Sequence, residues 1–181
     1  MNLRRRLSAK IENQITMILP DILHHDLNIV FCGTAPGNKS AERKAYYAGR
    51  GNLFYLTLAS CGFTPRLFQP EEFRELVDHK LGLTDLAKYT YGMDKALLEN
   101  DYDIDSFEQK IVLFQPKIVC FNGKEAAKVF FQAKDTKQIS YGDQERLIGK
   151  TKLFVAPSTS FNARKYWDEN VWRQLSKLIR N

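Results

Sequence analysis

Four short apolar runs, each closing on a glycine or running into a turn and each followed by a helix-like stretch, restrict this chain's fold most. They are Leu27–Gly33, Leu81–Leu86, Lys117–Gly123 and Lys152–Ala156. Apolar residues at consecutive positions, bounded by turn formers, suit strands covered on both faces. Helical signals fill the intervals. Asn52 stands as an N-cap before Leu53–Cys61, which Gly62 ends, and Pro70-Glu71-Glu72 places proline and acids in a first turn. Phe107, Ile111 and Phe114 recur at helical spacing until Pro116 stops them; Lys124–Ala133 and the C-terminal stretch also read as helices. Strands alternating with helices predict an α/β fold: three-layer α/β/α with a central, mostly parallel four-stranded sheet.

The 181 residues are expected to form a single domain, 1–181, whose first 20 residues make an amphipathic N-terminal helix carrying Arg4, Arg5 and Arg6 and closed by Pro20. A composition of 44% hydrophobic and 27% charged residues excludes a disordered chain, collagen and a coiled coil. No apolar run approaches the ~18 residues of a membrane span, and the basic N-terminus lacks the apolar core of a signal peptide. A cytoplasmic protein is expected, nucleoid-associated if bacterial, neither secreted nor bound to membrane. Cys32, Cys61 and Cys120 stand far apart without a CxxC pair, so no disulfide framework, metal or other cofactor is expected. The net charge of +6 suits a polyanionic partner without demanding one. A monomer is expected.

In parallel sheets ligands sit beyond the carboxyl ends of the strands. Here those ends are Gly33-Thr34, Thr84-Asp85, Asn122-Gly123 and Ala156-Pro157-Ser158. Gly33-Thr34-Ala35-Pro36-Gly37 permits a sharp turn that aims backbone N–H groups at a ligand, yet it has neither the Lys-Ser/Thr of a P-loop nor a dinucleotide fingerprint. The connection from Thr34 to Gly51 shows no periodicity. A stretch of 18 residues without regular structure is uncommon in a small domain unless it has a function.

Five segments occur in order: Gly33–Gly37; Tyr46 through Tyr55, containing Tyr47-Ala48-Gly49-Arg50-Gly51-Asn52; Thr84-Asp85-Leu86; Phe121-Asn122-Gly123-Lys124; and Pro157-Ser158-Thr159-Ser160. This set resembles the uracil-DNA glycosylase superfamily, and within it the mismatch-specific thymine/uracil branch. The resemblance runs from Leu27 to the C-terminus. It implies that the ring of Tyr47 stacks on a base flipped from the duplex, with Tyr46 as the neighbouring alternative. It further implies that backbone groups around Gly33, Thr34, Ala35 and Tyr47 bind the base carbonyls and that Asp85 reads the base's Watson–Crick edge. Asn52 would line the site while capping its helix. The Pro157–Asn162 loop would enter the DNA. Extrusion is chemically required, because the glycosidic bond of a stacked base cannot be reached. Uracil presents an N3–H donor between two carbonyls, and an ionised Asp85 accepts such a donor.

Two positions depart from the family pattern. Ala35 occupies the place of a water-positioning asparagine, and Ala156 that of the His or Asn before the Pro-Ser pair. Where other branches carry an acid in the following loop, this chain has Arg50. The expected chemistry is therefore a reduced mechanism. Pocket, distortion and donors would act together, with Asp85, Thr34 or Ser158 placing water and Arg50 supporting the departing base or a phosphate. For DNA contact, Ser158, Thr159 and Ser160 are small donors, Phe161-Asn162 a wedge and Arg164 a cation. Lys39, Arg43 and Lys44 add positive charge to the first loop, whereas Arg173, Lys177 and Arg180 read as a solvated face. Trp167 and Trp172 read as packing.

The expected activity is removal of uracil from DNA by a monofunctional glycosylase, leaving an abasic site. Close variants prefer hypoxanthine or mismatched thymine. A second class is a glycosylase fold that grips DNA without cleaving, which Ala35 and Ala156 favour. A third is an α/β protein binding a small nucleotide at Gly33–Gly37.

Overall fold

The computed structural model describes residues 16–180. Most of the expected N-terminal helix lies outside them, and residues 16–20 are not helical, with a bend at Ile18-Leu19. This stretch is instead held alongside the sheet. The Ile18 N–H donates to the Lys88 carbonyl, and Ile22 exchanges both backbone hydrogen bonds with Leu83.

In chain order the elements are β1 (Ile29–Gly33), α1 (Asn38–Arg43), α2 (Phe54–Ser60), a 3-10 helix (Pro70–His79), β2 (Leu81–Asp85), α3 (Ile104–Phe114), β3 (Ile118–Asn122), α4 (Lys124–Phe131), β4 (Gly142–Ile148), β5 (Thr151–Ala156), a 3-10 turn (Phe161–Tyr166) and α5 (Glu169–Leu178). The sheet order is β2-β1-β3-β5-β4. Its first four strands run parallel, and β4 is antiparallel to β5. The sheet thus has five strands, one more than expected.

The four apolar runs are the four parallel strands because each buries side chains on both faces. Ile29 and Phe31 of β1, Leu83 of β2 and Cys120 of β3 pack on one side with Phe54, Phe73 and Trp172. Val30, Cys32, Val119 and Val155 pack on the other with Phe107, Ile111 and Phe130. Alternation along each strand supplies both cores from one run. The additional strand, β4, is polar from Gly142 to Arg146 and mostly exposed, since an edge strand covers only one face. Its hairpin to β5 turns at Gly149-Lys150.

The long first connection also differs from expectation, for it contains α1, a six-residue helix. That helix begins after Gly37 and ends on Lys44, whose left-handed φ of 52° turns the chain toward Ala45. Only Ser40 and Ala41 of α1 are buried, too few to leave a helical pattern in the sequence.

Candidate active site

The order β2-β1-β3 means that the chain leaves β1 toward one side for β2 and later returns to the other side for β3. A crevice forms outside the carboxyl ends of strands where the direction of winding reverses, and ligands of open α/β sheets bind there. Gly33 stands opposite Asp85 in the β1–β2 ladder, and Asn122 opposite Ala156 in the β3–β5 ladder. Three of the five resembling segments therefore reach the reversal point with the first loop.

At that point Gly33 makes room for a close approach. A Cβ on Gly33 would lie 2.6 Å from Asp85 Oδ1 and 3.7 Å from Tyr47 Oη. Asp85 and Tyr47 thus meet at the end of β1. Tyr46 turns into the core instead, where its hydroxyl accepts from Lys88 Nζ at 3.0 Å.

Tyr47 is held in a left-handed conformation, φ 54°, uncommon for a bulky residue and sustained only where neighbours enforce it. They do so here. The Ala48 N–H donates to Ser40 Oγ, Arg43 donates to the Ala48 carbonyl, and Tyr55 Oη donates to the Tyr46 carbonyl. One side of the Tyr47 ring packs on Phe54, with centroids 4.0 Å apart.

Asp85 Oδ2 and Tyr47 Oη are both buried, and neither has a hydrogen-bond partner among the described residues. Asn122 sits beside the Tyr47 hydroxyl, but its own amide is turned to Thr159. Unpaired buried polar atoms cost about 1–3 kcal/mol each, so a native structure that keeps one on each of two neighbouring side chains has a reason for them. Burial pushes the Asp85 carboxyl up to about 7, with the Lys88 charge pulling against it, Asp21 adding to the rise and Lys110 opposing it. Burial, with the Asp85 charge behind it, also raises the Tyr47 phenol well above its ordinary value. Near neutral pH, Asp85 is thus divided between its ionised and neutral forms, and Tyr47 remains a donor.

Behind Asp85 lies a buried ionic cluster. Asp21 pairs with Lys88 at 2.7 Å and with Lys110 at 2.8 Å, and Thr84 Oγ1 donates to it at 2.7 Å. Burial raises the Asp21 carboxyl, but the Lys88 charge and the three hydrogen bonds outweigh that and hold it below its ordinary value.

Other expected site residues are distributed around this centre. Thr34, half-buried, follows Gly33 directly, and its hydroxyl donates to Asp94 Oδ1 at 2.5 Å. Ala35 is beside it. Asn52 accepts from the Phe54 N–H at 3.0 Å, beginning α2. Arg50 is exposed and lines an open groove of about 370 Å³ with Arg43, Tyr47 and Asn52. Asp85 does not reach that groove, so Arg50 and Asp85 are not brought together. Lys39 and Arg43 are partly engaged already, with Glu42 at 2.7 Å and Glu71 at 2.6 Å.

The last loop is anchored from within. Thr159, expected at the DNA, is only 1% exposed. Its N–H and hydroxyl engage Asn122 at 3.0 and 2.9 Å, and its carbonyl accepts from the Leu53 N–H at 2.9 Å. An inward threonine presents nothing to a phosphate; Asn122, not expected as a site residue, holds the loop through it. Ser158 packs against Gly123, where a Cβ would come within 2.9 Å, and its hydroxyl accepts from the Ser160 N–H. Trp172, fully buried, donates to the Pro157 carbonyl at 3.0 Å. Phe161 projects outward at 63% exposure beside exposed Asn162. Arg164 donates to the Gly51 carbonyl at 2.7 Å and ties this projection to the first loop.

Among the described residues, no three His, Cys, Asp or Glu side chains gather closely enough to share a metal ion, and no helix is long and apolar enough to cross a membrane.

The uracil DNA glycosylase superfamily model matches residues 20–176. Among solved structures, the chain is similar to a Methanosarcina acetivorans protein determined by NMR in solution and provisionally named a uracil DNA glycosylase. Identity is 18% and the TM-score 0.63, over 90% of this chain and 97% of that one, a likeness of fold. The family match runs from before β1 into α5 and takes in the whole sheet with every loop at its carboxyl ends; this chain belongs to the uracil DNA glycosylase superfamily.

Proposed function

We propose that the protein excises a nucleobase from DNA, uracil in the first place, by hydrolysing its N-glycosidic bond and leaving an abasic site. The observation that carries this reading is that the Asp85 carboxyl and the Tyr47 hydroxyl converge on Gly33, each with a buried oxygen, Asp85 Oδ2 and Tyr47 Oη, that has no partner among the described residues. A flipped base supplies what both lack: N3–H for an ionised Asp85 and a carbonyl for the Tyr47 hydroxyl. Because Asp85 is 3% exposed, the base enters alongside the Tyr47 ring, which offers it a stacking surface. Backbone groups of Gly33, Thr34 and Ala35 line the entry, and Asn52 and Arg50 border the groove outside. Ser158 and Ser160 face phosphates, while Phe161 and Asn162 fill the gap left by the base, held by Arg164. Thr159 serves this surface as its internal anchor.

Ala35 and Ala156 favour a second reading, a DNA-gripping protein without chemistry. One assay separates the two. Duplexes with a single uracil, thymine mismatch or hypoxanthine are incubated with excess protein and then treated with alkali. Strand scission at uracil, reduced in Asp85→Asn and Arg50→Ala, is the expected result. A shifted band without scission on all three establishes the binder. Full excision by both variants refutes the assigned roles.

A further inference from the structure

Hydrolysis needs a group that takes a proton from water; in the first loop Ala35 is a methyl group, Arg50 a cation, and the one carboxylate, Glu42, is paired with Lys39 at 2.7 Å. Asp85 is poorly placed for the task. A carboxylate engaged with uracil N3–H lies on the side of the ring away from the N1–C1′ bond, and Asp85 is sealed from solvent besides.

We propose that Asp94 is the carboxylate that activates the hydrolytic water, delivered to the site from the connection between β2 and α3; this rests on the glycosylase reading above. Sixty positions from Thr34, Asp94 receives the Thr34 hydroxyl on Oδ1. Thr34 is the next residue after Gly33, where Asp85 and Tyr47 converge. The carboxylate is therefore bonded to the residue that directly follows Gly33.

Its segment is laced along the first loop. The Leu86 N–H donates to Gly33, the Ala87 N–H to Thr34 and the Gly92 N–H to Pro36. Asp94 is exposed as a residue while its carboxyl is partly enclosed; Thr34 fixes Oδ1, and no hydrogen bond among the described residues engages Oδ2. Glu125 of α4, whose charge acts on Asp94, is paired with Lys128 at 2.6 Å. Glu125, Lys128 and Tyr102 are the titratable groups facing Asp94. Partial burial lifts its carboxyl above the ordinary range, against the Thr34 hydrogen bond, which improves its match to proton transfer near neutrality.

The step balances without a further reagent. As the C1′–N bond breaks, its electron pair leaves with the base, and the water oxygen bonds to C1′. One water proton passes to Asp94 Oδ2 and then to solvent, and the base anion takes a proton from solvent. The products are a C1′ hydroxyl and the free base.

The test compares wild type, Asp94→Asn and Asp94→Glu by single-turnover excision at enzyme excess, with affinity measured on a duplex whose 2′-fluorine prevents cleavage. Melting curves verify the fold. Asn preserves the bond from Thr34 and removes the base, so excision is expected to fall about 100-fold or more while affinity changes less than about three-fold. Asp94→Glu is expected to retain more rate than Asn. Wild-type excision with Asp94→Asn within about three-fold overturns the assignment and leaves the glycosylase reading standing. Parallel loss of rate and affinity overturns it in favour of a DNA-positioning role. No release by wild type from the uracil, thymine or hypoxanthine duplex refutes the underlying reading, and this assignment with it.

Discussion

Replacing Asp85 by asparagine should make the protein more stable while impairing it, and the size of the gain follows from the buried carboxyl. In the fold this group titrates at about 7; its ordinary value is 3.8. Well below pH 3.8 it is protonated in both folded and unfolded chains and contributes no difference. As pH rises through 3.8 the unfolded chain ionises first, so the fold loses stability until about 7, above which the loss is constant. The full penalty is about 4 kcal/mol. Asparagine removes the titration but remains a buried polar group, so the expected gain at pH 8 is about 2–4 kcal/mol, falling below about 1 kcal/mol at pH 4. In a domain of this size that is roughly 5–15 °C in Tm at pH 8. Melting both proteins from pH 4 to pH 8, with uracil excision measured in parallel, tests the argument. A Tm difference independent of pH would show that the carboxyl is not held up by burial. A stabilised variant with undiminished excision would show that Asp85 is not kept for the base.

Two further outcomes are expected. Asp21→Asn leaves Lys88, 5% exposed, without its counter-charge and should cost about 3 kcal/mol or more, read as a lower urea midpoint with unchanged slope; adding Lys88→Met should restore much of the loss. Gly33→Ala drives a Cβ to 2.6 Å from Asp85 Oδ1; the fold should survive with a loss of about 1–3 kcal/mol by melting, while affinity for an uncleavable uracil duplex falls sharply, and unchanged affinity would contradict the convergence at β1.

The opposition of stability and recognition at Asp85 has a counterpart at Tyr47. Its left-handed backbone is a conformation that neighbours must impose, and Ser40, Arg43 and Phe54 impose it. Both residues are thus kept in place at the expense of local free energy. Behind Asp85 the Lys88 charge limits that expense while Asp21 adds to it, and Lys88 is joined to Tyr46, the neighbour of Tyr47, by a hydrogen bond.

The four parallel strands were legible because burial on two faces leaves no room for polar side chains, and that constraint is written directly into Leu27–Gly33, Lys117–Gly123 and Lys152–Ala156. The strand ends were legible for the same reason, since the apolar runs stop where the site begins. Edge strand β4 was not, because one face in water permits Asp143, Gln144, Glu145 and Arg146, and pairing with β5 alone makes it a strand. Helix α1 escaped notice because it buries only two small residues. Thr159 reads as an exposed donor in a serine-rich loop, and only the packing of β3 against that loop turns it toward Asn122.

Local pattern therefore determined the layers, the strand ends and the residue types that gather there, because hydrophobic periodicity and turn chemistry act over a few neighbouring positions. Tertiary structure decided which side chains share a point in space: Tyr47 with Asp85 across Gly33, and Asp94 with Thr34 from sixty residues away. No spacing rule carries such meetings, since they depend on the order in which the strands assemble.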